Sequence, residues 1–142
     1  QTVGATIHLG GTYICMEGPA FSSRAESLLY RSWGADVIGM TNAQEAKLAR
    51  EAEMAFASIA LATDYDCWHV SESEVNVEDI IKVMHENVET ARRIIVETLR
   101  NLPPNFPNSQ QDALKFALIT EKSKIPQKTR SDLDLLLSKY LD

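Results

Sequence analysis

Apolar residues along the chain follow two patterns: short runs that are typical of strands, and longer stretches with helical spacing. The short runs are residues 5–9, 12–16, 36–40 and 54–62. Gly10 and Gly11 separate the first two runs, which predicts two strands joined by a tight turn. The run at residues 54–62 contains small and apolar residues without any charge, so it predicts a strand that is buried on both faces.

Helical patterns alternate with these runs and bring their own start signals. Ser23 and Glu26 have capping-box spacing, and Gly34 is a typical helix end, so they bound a first helix. Asn42 and Glu45 repeat the cap-and-acid spacing before a second helix. The predicted helices span approximately residues 24–33, 43–53, 77–101, 109–119 and 131–141.

The resulting order, β-β-α-β-α-β-α followed by two further helices, predicts an α/β layer architecture. The longest helix has an apolar stripe at helical spacing, which we expect to face the core. The stripe consists of Val77, Ile80, Ile81, Met84, Val88, Ala91, Ile94, Ile95 and Leu99.

Composition and charge narrow the class of protein. The chain has 142 residues, of which 44% are hydrophobic and 24% charged, as expected for a single globular domain. The net charge of −6 argues against a general nucleic-acid binder and against an anionic membrane surface. Cys15 and Cys67 predict free thiols in the cytosol rather than a disulfide scaffold, and no Cys/His spacing suits zinc.

Two acids, Asp64 and Asp66, follow the predicted buried strand directly. Ligands of open α/β sheets bind at the carboxyl ends of strands, so this edge is a candidate active site. The pair could bind a metal, act as a general acid and base, or accept hydrogen bonds from an amino group, and a solvated loop is the alternative. Metal binding is the weakest of these, because no third ligand is spaced nearby.

Two further positions have both a structural and a functional interpretation. Phe21 precedes the first helix cap, where it could form a hydrophobic staple. Thr41 precedes the second helix, either as an ordinary entry residue or as an anion contact at a helix start. The spacing alone leaves both alternatives open.

Three motifs resemble the purine nucleoside phosphorylase family. They are GTYICMEGPAFSSRAES at residues 11–27, WGADVIGMT at residues 33–41 and ATDYDCW at residues 62–68. Together they narrow the resemblance to the methylthioadenosine phosphorylases, over residues 6–99. The resemblance implies the C-terminal half of a nucleoside phosphorylase-like three-layer α/β domain, with a central mixed sheet flanked by helices. Residues 1–121 would belong to that domain, and residues 122–142 would form a C-terminal helical tail.

The resemblance also implies an activity. Such enzymes split the N-glycosidic bond of S-methyl-5′-thioadenosine with phosphate, which yields adenine and 5-methylthioribose 1-phosphate in purine and methionine salvage. Inorganic phosphate would be a co-substrate, and no cofactor or metal is expected. A homotrimer is implied, located in the cytoplasm and, in a eukaryote, also in the nucleus.

Carried over motif by motif, the resemblance assigns site residues. Phe21 would pack near the nucleoside, Met40 against the ribose, and Thr41 at the phosphate. Thr63, Asp64 and Asp66 would surround the base, with Asp64 and Asp66 catalytic. The expected wall around the methylthio group consists of Val77, Ile80 and Ile81.

The chemistry of the base favours adenine independently of the family. Protonation of N7 makes adenine a better leaving group, and a partly desolvated Asp64 could supply that proton. Carboxylates also accept hydrogen bonds from the adenine amino group, whereas the oxygen of a 6-oxopurine would be repelled. Relatives that act on 6-oxopurines have an amide where Asp64 stands and a carboxylate where Ser22 stands.

The chain departs from the family at its front. Family members are about twice as long, and their first half supplies a glycine-rich phosphate loop, an Arg-His pair and a further Thr. This chain begins with Gln1 in strand-like sequence, so we expect a C-terminal half whose N-terminal half is a separate chain or is missing. The alternatives are a broader purine nucleoside phosphorylase, a non-catalytic nucleoside-binding module and a purely structural role.

Overall fold

A computed structural model of the chain describes residues 3–69 and 77–141, without the side chains of Val77, Asp79 and Ile80. The strands and α-helices in chain order are β1 (Tyr13–Cys15), α1 (Arg24–Ser32), β2 (Val37–Gly39), α2 (Asn42–Glu51), α3 (Val77–Asn101), α4 (Gln127–Asp132) and α5 (Asp134–Leu141). The predicted α/β class is confirmed. Residues 70–76, which precede the longest predicted helix, lie outside the described residues.

The chain packs as two compact units. The first combines Gln1–Asn42 with Ser58–Phe106, and the second combines Ala43–Ala57 with Pro107–Asp142. Every candidate site residue belongs to the first unit. The boundary between residues 121 and 122 that the sequence suggested stays a prediction.

The sheet of the first unit consists of β1 and β2, which pair in parallel with Ile14 opposite Ile38. The backbone N–H of Thr12 donates to Asp36 Oδ2 at 2.7 Å, which aligns the two strands at their start. The predicted hairpin is therefore wrong, because residues 5–9 form no strand and β1 pairs with β2 across α1. Gly10 and Gly11 do not decide the pairing, since the partner strand comes from later in the chain.

The predicted strand at residues 54–62 is also wrong for this chain, because that segment has no strand structure. Its apolar side chains are exposed: Phe56 is 42%, Ile59 is 47% and Leu61 is 39% accessible. A strand buried on both faces needs neighbours for its backbone groups and for both faces. Within the described residues, no strand provides them.

The start of α1 follows the predicted capping box. Ser23 Oγ accepts from the backbone N–H of Glu26 at 3.3 Å, and Glu26 Oε2 accepts from the backbone N–H of Ser23 at 2.7 Å. The side-chain and backbone hydrogen bonds from Ser23 lower the pKa of Glu26. Gly34, at φ +79°, follows the helix end in the left-handed conformation that ends many helices. Both predicted bounds of this helix are confirmed.

Helix α3 has the predicted bounds, Val77–Asn101. Its stripe is not buried in this chain, however: Ile81, Met84 and Leu99 are 48%, 51% and 65% exposed. Among the described residues, no apolar side chain is buried, and Ser27 is the one buried polar residue. The expectation of a core along α3 is thus wrong for the chain by itself, because two short strands cannot cover a 25-residue helix. No described helix has the length and apolar character that would let it cross a membrane.

The second unit is organised around Glu53. Its carboxylate accepts hydrogen bonds from the Tyr140 hydroxyl and from Lys139 Nζ, the latter at 3.1 Å. It also accepts from the backbone N–H of Leu114 at 3.0 Å, and the Glu53 carbonyl oxygen accepts from Asn108 at 2.7 Å. The hydrogen bond from Tyr140 is the largest cause of a lowered Glu53 pKa.

This arrangement corrects two predicted helices. Residues 109–117 form successive turns rather than a helix, and the N–H of Leu114 donates to Glu53 instead of to a preceding carbonyl. The last predicted helix begins earlier, at Gln127 directly after Pro126, and is divided at Leu133 into α4 and α5. Proline is favourable at the start of a helix because it needs no N–H partner there.

Candidate active site

The two predicted acids lie in a compact turn, which we call the acidic loop (residues 63–69). Asp64 Oδ1 accepts from the backbone N–H of Asp66 at 2.8 Å, and Asp64 Oδ2 accepts from the Thr63 hydroxyl at 3.2 Å. Asp66 adopts φ +59°, a left-handed conformation that aspartate tolerates better than most residues. The turn breaks the alternation that a regular strand would impose on the two acids.

Both Asp64 oxygens retain capacity for a ligand. A carboxylate oxygen has two lone pairs, so one hydrogen bond to each leaves a further acceptor site on each. Thr63 and Asp64 are exposed, and Asp66 is half-buried. Within the described residues, no group of three His, Cys, Asp or Glu side chains could hold a metal ion.

Among the described residues, two hydrogen bonds attach the acidic loop and the residue before it to the rest of the first unit. Before the loop, the side-chain amide of Asn87 on α3 donates to the carbonyl oxygen of Ala62 at 2.9 Å. Within the loop, Cys67 Sγ donates to the carbonyl oxygen of Ser22 at 3.3 Å. The second bond links the acids to the segment that contains Phe21, so two of the three motifs meet here.

An aromatic cluster occupies the end of the loop. Tyr65 stacks on His69 with ring centroids 4.9 Å apart, and Trp68 meets both rings edge-on at 6.0 and 5.2 Å. Arg31, in the last turn of α1, lies with its guanidinium carbon 3.5 Å from the Trp68 ring centroid. A cation at this distance from an indole face makes a favourable cation–π contact.

The predicted ribose contact, Met40, follows β2 and is half-buried. Its side chain lies against Gly18, where a Cβ would be 2.1 Å from Met40 Cε. Phe21, three residues after Gly18, is 81% exposed. This exposure contradicts the hydrophobic-staple interpretation of Phe21, because a staple packs its side chain against the helix.

The structure describes no direct contact between the acids and the predicted phosphate and methylthio residues. Thr41 is exposed directly before α2, which begins at Asn42. Asn42 Oδ1 accepts from the Ser58 hydroxyl at 2.5 Å. Ile81 is 48% exposed on the early part of α3, while the side chains of Val77 and Ile80 lie outside the described residues. The apolar wall and the phosphate contact therefore stay predictions.

Sequence reasoning missed three residues that shape this region: Gly18, Arg31 and Asn87. Asn87 could have been recognised in the sequence, since it is a polar residue beside the apolar stripe, between Met84 and Ala91. Arg31 could not, because its ring partner lies 37 residues further along the chain and only the tertiary fold joins them.

Known proteins resemble this chain over most of its length. The family profile of the Phosphorylase superfamily matches residues 1–100. The chain belongs to this superfamily. The chain is 55% identical, over 99% of its length, to the S-methyl-5′-thioadenosine phosphorylase of Geobacter sulfurreducens, of which it covers 49%. It is 56% identical over 99% of its length to the enzyme of the same name from Gloeobacter violaceus, covering 48% of that protein.

Solved structures have a similar fold. A methylthioadenosine phosphorylase from an Antarctic soil metagenomic library matches 89% of the chain with a TM-score of 0.78 at 42% identity, and the chain covers 45% of it. Methylthioadenosine phosphorylase from Schistosoma mansoni in complex with adenine matches 90% of the chain with a TM-score of 0.55 at 29% identity, and 38% of that protein is covered. The chain spans about half the length of the curated relatives it matches.

Proposed function

We propose that this chain forms the base site and part of the ribose site of an enzyme that cleaves S-methyl-5′-thioadenosine with phosphate. The observation that carries the proposal is the acidic loop, in which Asp64 is fixed by Thr63 and by the Asp66 backbone. The Cys67–Ser22 hydrogen bond brings this loop to the segment of Phe21. Relatives named for this substrate, and one solved with adenine, support the same assignment.

The loop suits adenine because its acids can accept hydrogen bonds. The amino group at C6 of adenine is a donor, and Asp64 and Asp66 provide acceptors. A 6-oxopurine presents an acceptor at C6, which would leave two electronegative groups facing each other. Sites built around such hydrogen bonds discriminate strongly against a ligand that cannot make them.

The proposed reaction is a displacement at C1′ of the ribose. A phosphate oxygen forms a bond to C1′ while the C1′–N9 bond breaks, and its electron pair moves into the purine. Asp64 donates a proton to N7, so that neutral adenine leaves, and solvent then returns a proton to Asp64. Asp66 holds the base by accepting from it.

The remaining contacts follow from the positions of the motifs. Met40 and Phe21 would contact the nucleoside, and Thr41 would contact phosphate at the start of α2, where backbone N–H groups favour anions. Val77, Ile80 and Ile81 would form the wall around the methylthio group. Phosphate is the co-substrate, and no cofactor or metal is required in this proposal.

The enzyme needs further residues beyond those of this chain. The chain spans half of its relatives, and apolar side chains of residues 54–62 and of α3 are exposed. We therefore propose that an N-terminal half, within the same protein or as a separate chain, covers these surfaces and supplies most of the phosphate site. By family resemblance the assembly is a cytoplasmic homotrimer that serves purine and methionine salvage.

The test is adenine release from S-methyl-5′-thioadenosine, with and without phosphate and beside inosine, on the protein as isolated. A parallel sample contains the chain expressed together with a segment that corresponds to the first half of its relatives. We expect phosphate-dependent adenine release, inert inosine, and activity only where that segment is present.

Each other outcome selects an alternative. Turnover of inosine would favour a broader purine nucleoside phosphorylase. Binding of adenine or methylthioadenosine without turnover, even with the first half present, would favour a non-catalytic nucleoside-binding module. If neither binding nor turnover occurs, the proposed function is wrong.

A further inference from the structure

We propose that Arg31 is a positioning residue. Its cation–π contact with Trp68 would hold the acidic loop in the conformation that binds the base. The proposal deepens the proposed function and rests on it. Arg31 would touch neither the substrate nor the reacting atoms. It would act on Asp66 through Trp68, two residues further along the loop.

The contact itself joins two distant elements of the first unit. The guanidinium carbon of Arg31 lies 3.5 Å from the Trp68 ring centroid, close enough for direct stacking. Among the described residues, no carboxylate forms an ion pair with Arg31. The guanidinium charge is instead in contact with the Trp68 indole. Arginine suits this role because its planar group can stack on a ring while its N–H groups remain in water.

Helix α1 is a firm base for this contact. Its first turn is closed by the capping box of Ser23 and Glu26, and Gly34 follows its end. Ser27, one turn before Arg31, is only 2% exposed, which fixes this side of the helix against its surroundings. The backbone position from which the Arg31 side chain extends is therefore fixed.

The acidic loop needs a restraint at its far end. Its near end is held by Asn87 at Ala62, and its middle by Cys67 at the Ser22 carbonyl, through a sulfur donor that makes only weak hydrogen bonds. Asp66 occupies a left-handed conformation, which still costs free energy for a residue other than glycine, so contacts around the loop help to maintain it. After the weak bond of Cys67, the Arg31–Trp68 contact is the next described restraint beyond Asp66, and it comes from helix α1.

The test is a double-mutant cycle with Arg31→Met and Trp68→Leu in the enzyme form that releases adenine. Methionine keeps much of the length of arginine and its apolar stem but removes the charge. We expect each single change to lower kcat/KM for methylthioadenosine by about tenfold, and the double variant to be no worse than the poorer single one. Arg31→Lys, which keeps a cation, should recover part of the loss.

A matched control uses the same helix. Arg24→Met removes an exposed arginine from α1 that has no ring contact in the described structure. We expect its kcat/KM to stay within about twofold of the parent and its effect to add to that of Trp68→Leu. The KM for phosphate should remain unchanged in all variants, while the inhibition constant of adenine should rise in the Arg31→Met and Trp68→Leu variants. General loss of structure would change both constants.

A second readout does not depend on turnover. In a Trp33→Phe background, Trp68 is the remaining tryptophan of this chain, and acrylamide quenching of the chain by itself reports its accessibility. Arg31→Met should increase quenching and weaken adenine binding. Unchanged quenching, unchanged adenine binding or strictly additive kinetics would overturn the proposal. If the parent enzyme releases no adenine, the proposed function fails, and quenching with adenine binding still decides the role of Arg31.

Discussion

Met40 lies directly over Gly18, so closely that a Cβ at Gly18 would meet Met40 Cε at 2.1 Å. Real Cβ contacts are not this short, so any other residue at this position must displace the Met40 side chain. Gly18 also has φ +70°, which glycine adopts without strain. The glycine thus sets the position of the residue that we assign to the ribose.

Replacing Gly18 by alanine should therefore impair catalysis through Met40. We expect kcat/KM for methylthioadenosine to fall by about 10- to 100-fold, since a displacement of about 1 Å at a positioning residue has effects of this size. Steady-state kinetics with methylthioadenosine and phosphate would measure it.

The control for this change is Gly34→Ala. Gly34 has φ +79°, but a Cβ there meets no atom of the described residues within 4 Å. Both variants should lose about 1 kcal/mol of unfolding free energy from backbone strain, whereas only Gly18→Ala should lose activity. Equal activity in the two variants would show that the Met40 contact has no catalytic effect.

Replacing either acid of the loop by its amide should impair adenine release, and Asp64→Asn should also change the choice of base. Asp64→Asn removes the proton donor and one acceptor, so adenine release should fall by about 10²-fold or more. Asp66→Asn removes only an acceptor and should mainly raise the KM. The amide at residue 64 can donate to a 6-oxo group, so weak inosine cleavage should appear in Asp64→Asn.

Rates of adenine and hypoxanthine release for the two variants would check this expectation. Asp132→Asn serves as the control, since Asp132 pairs with Lys128 on exposed α4 and should leave both rates unchanged. If Asp64→Asn behaves like that control, the acidic loop is not the base site.

Removing the side-chain amide of Asn87 should loosen the start of the acidic loop. Asn87→Ala leaves the Ala62 carbonyl without its 2.9 Å donor, and a hydrogen bond of this kind contributes about 1 kcal/mol. We expect kcat/KM to drop about fivefold, with little change in the KM for phosphate. Asn101→Ala is the matched control, because the Asn101 side chain donates within α3, to the Glu97 carbonyl.

The stability of the second unit should depend on pH through Glu53. The hydrogen bond from Tyr140 is the largest cause that lowers the folded-state pKa of Glu53 below its ordinary value of 4.5. The ionised carboxylate therefore stabilises the fold above that ordinary pKa, and the contribution is lost as the pH falls through the lower folded-state value. Lys139 and the N–H of Leu114 act in the same direction.

Thermal unfolding of Glu53→Gln at several pH values would test this. The variant should unfold at a lower temperature than the parent at neutral pH, and the difference should shrink as the pH falls below 4.5, the ordinary pKa of the carboxyl. Glu89→Gln, which removes one partner of an exposed ion pair with Arg92, should have almost no effect at either pH. A pH-independent difference for Glu53→Gln would contradict the assigned role of the carboxylate.

Local signals predicted the parts of the fold that depend on near neighbours. The capping box of Ser23 and Glu26 located α1, and the apolar period located both ends of α3. The pairing of β1 with β2 and the absence of a strand at residues 54–62 did not follow from local patterns. Strand pairing needs backbone partners from elsewhere in the chain, and a run of apolar residues does not specify them.

The same distinction applies to the candidate site. The motif around Asp64 and Asp66 pointed to an acidic site from the sequence alone, because residue types and order carry the chemistry of the base. The turn at Asp66, the ring contact of Arg31 with Trp68 and the seat of Met40 on Gly18 were decided by tertiary structure. Residue chemistry is a local property, whereas the positions of these side chains arise from contacts between segments that lie far apart along the chain.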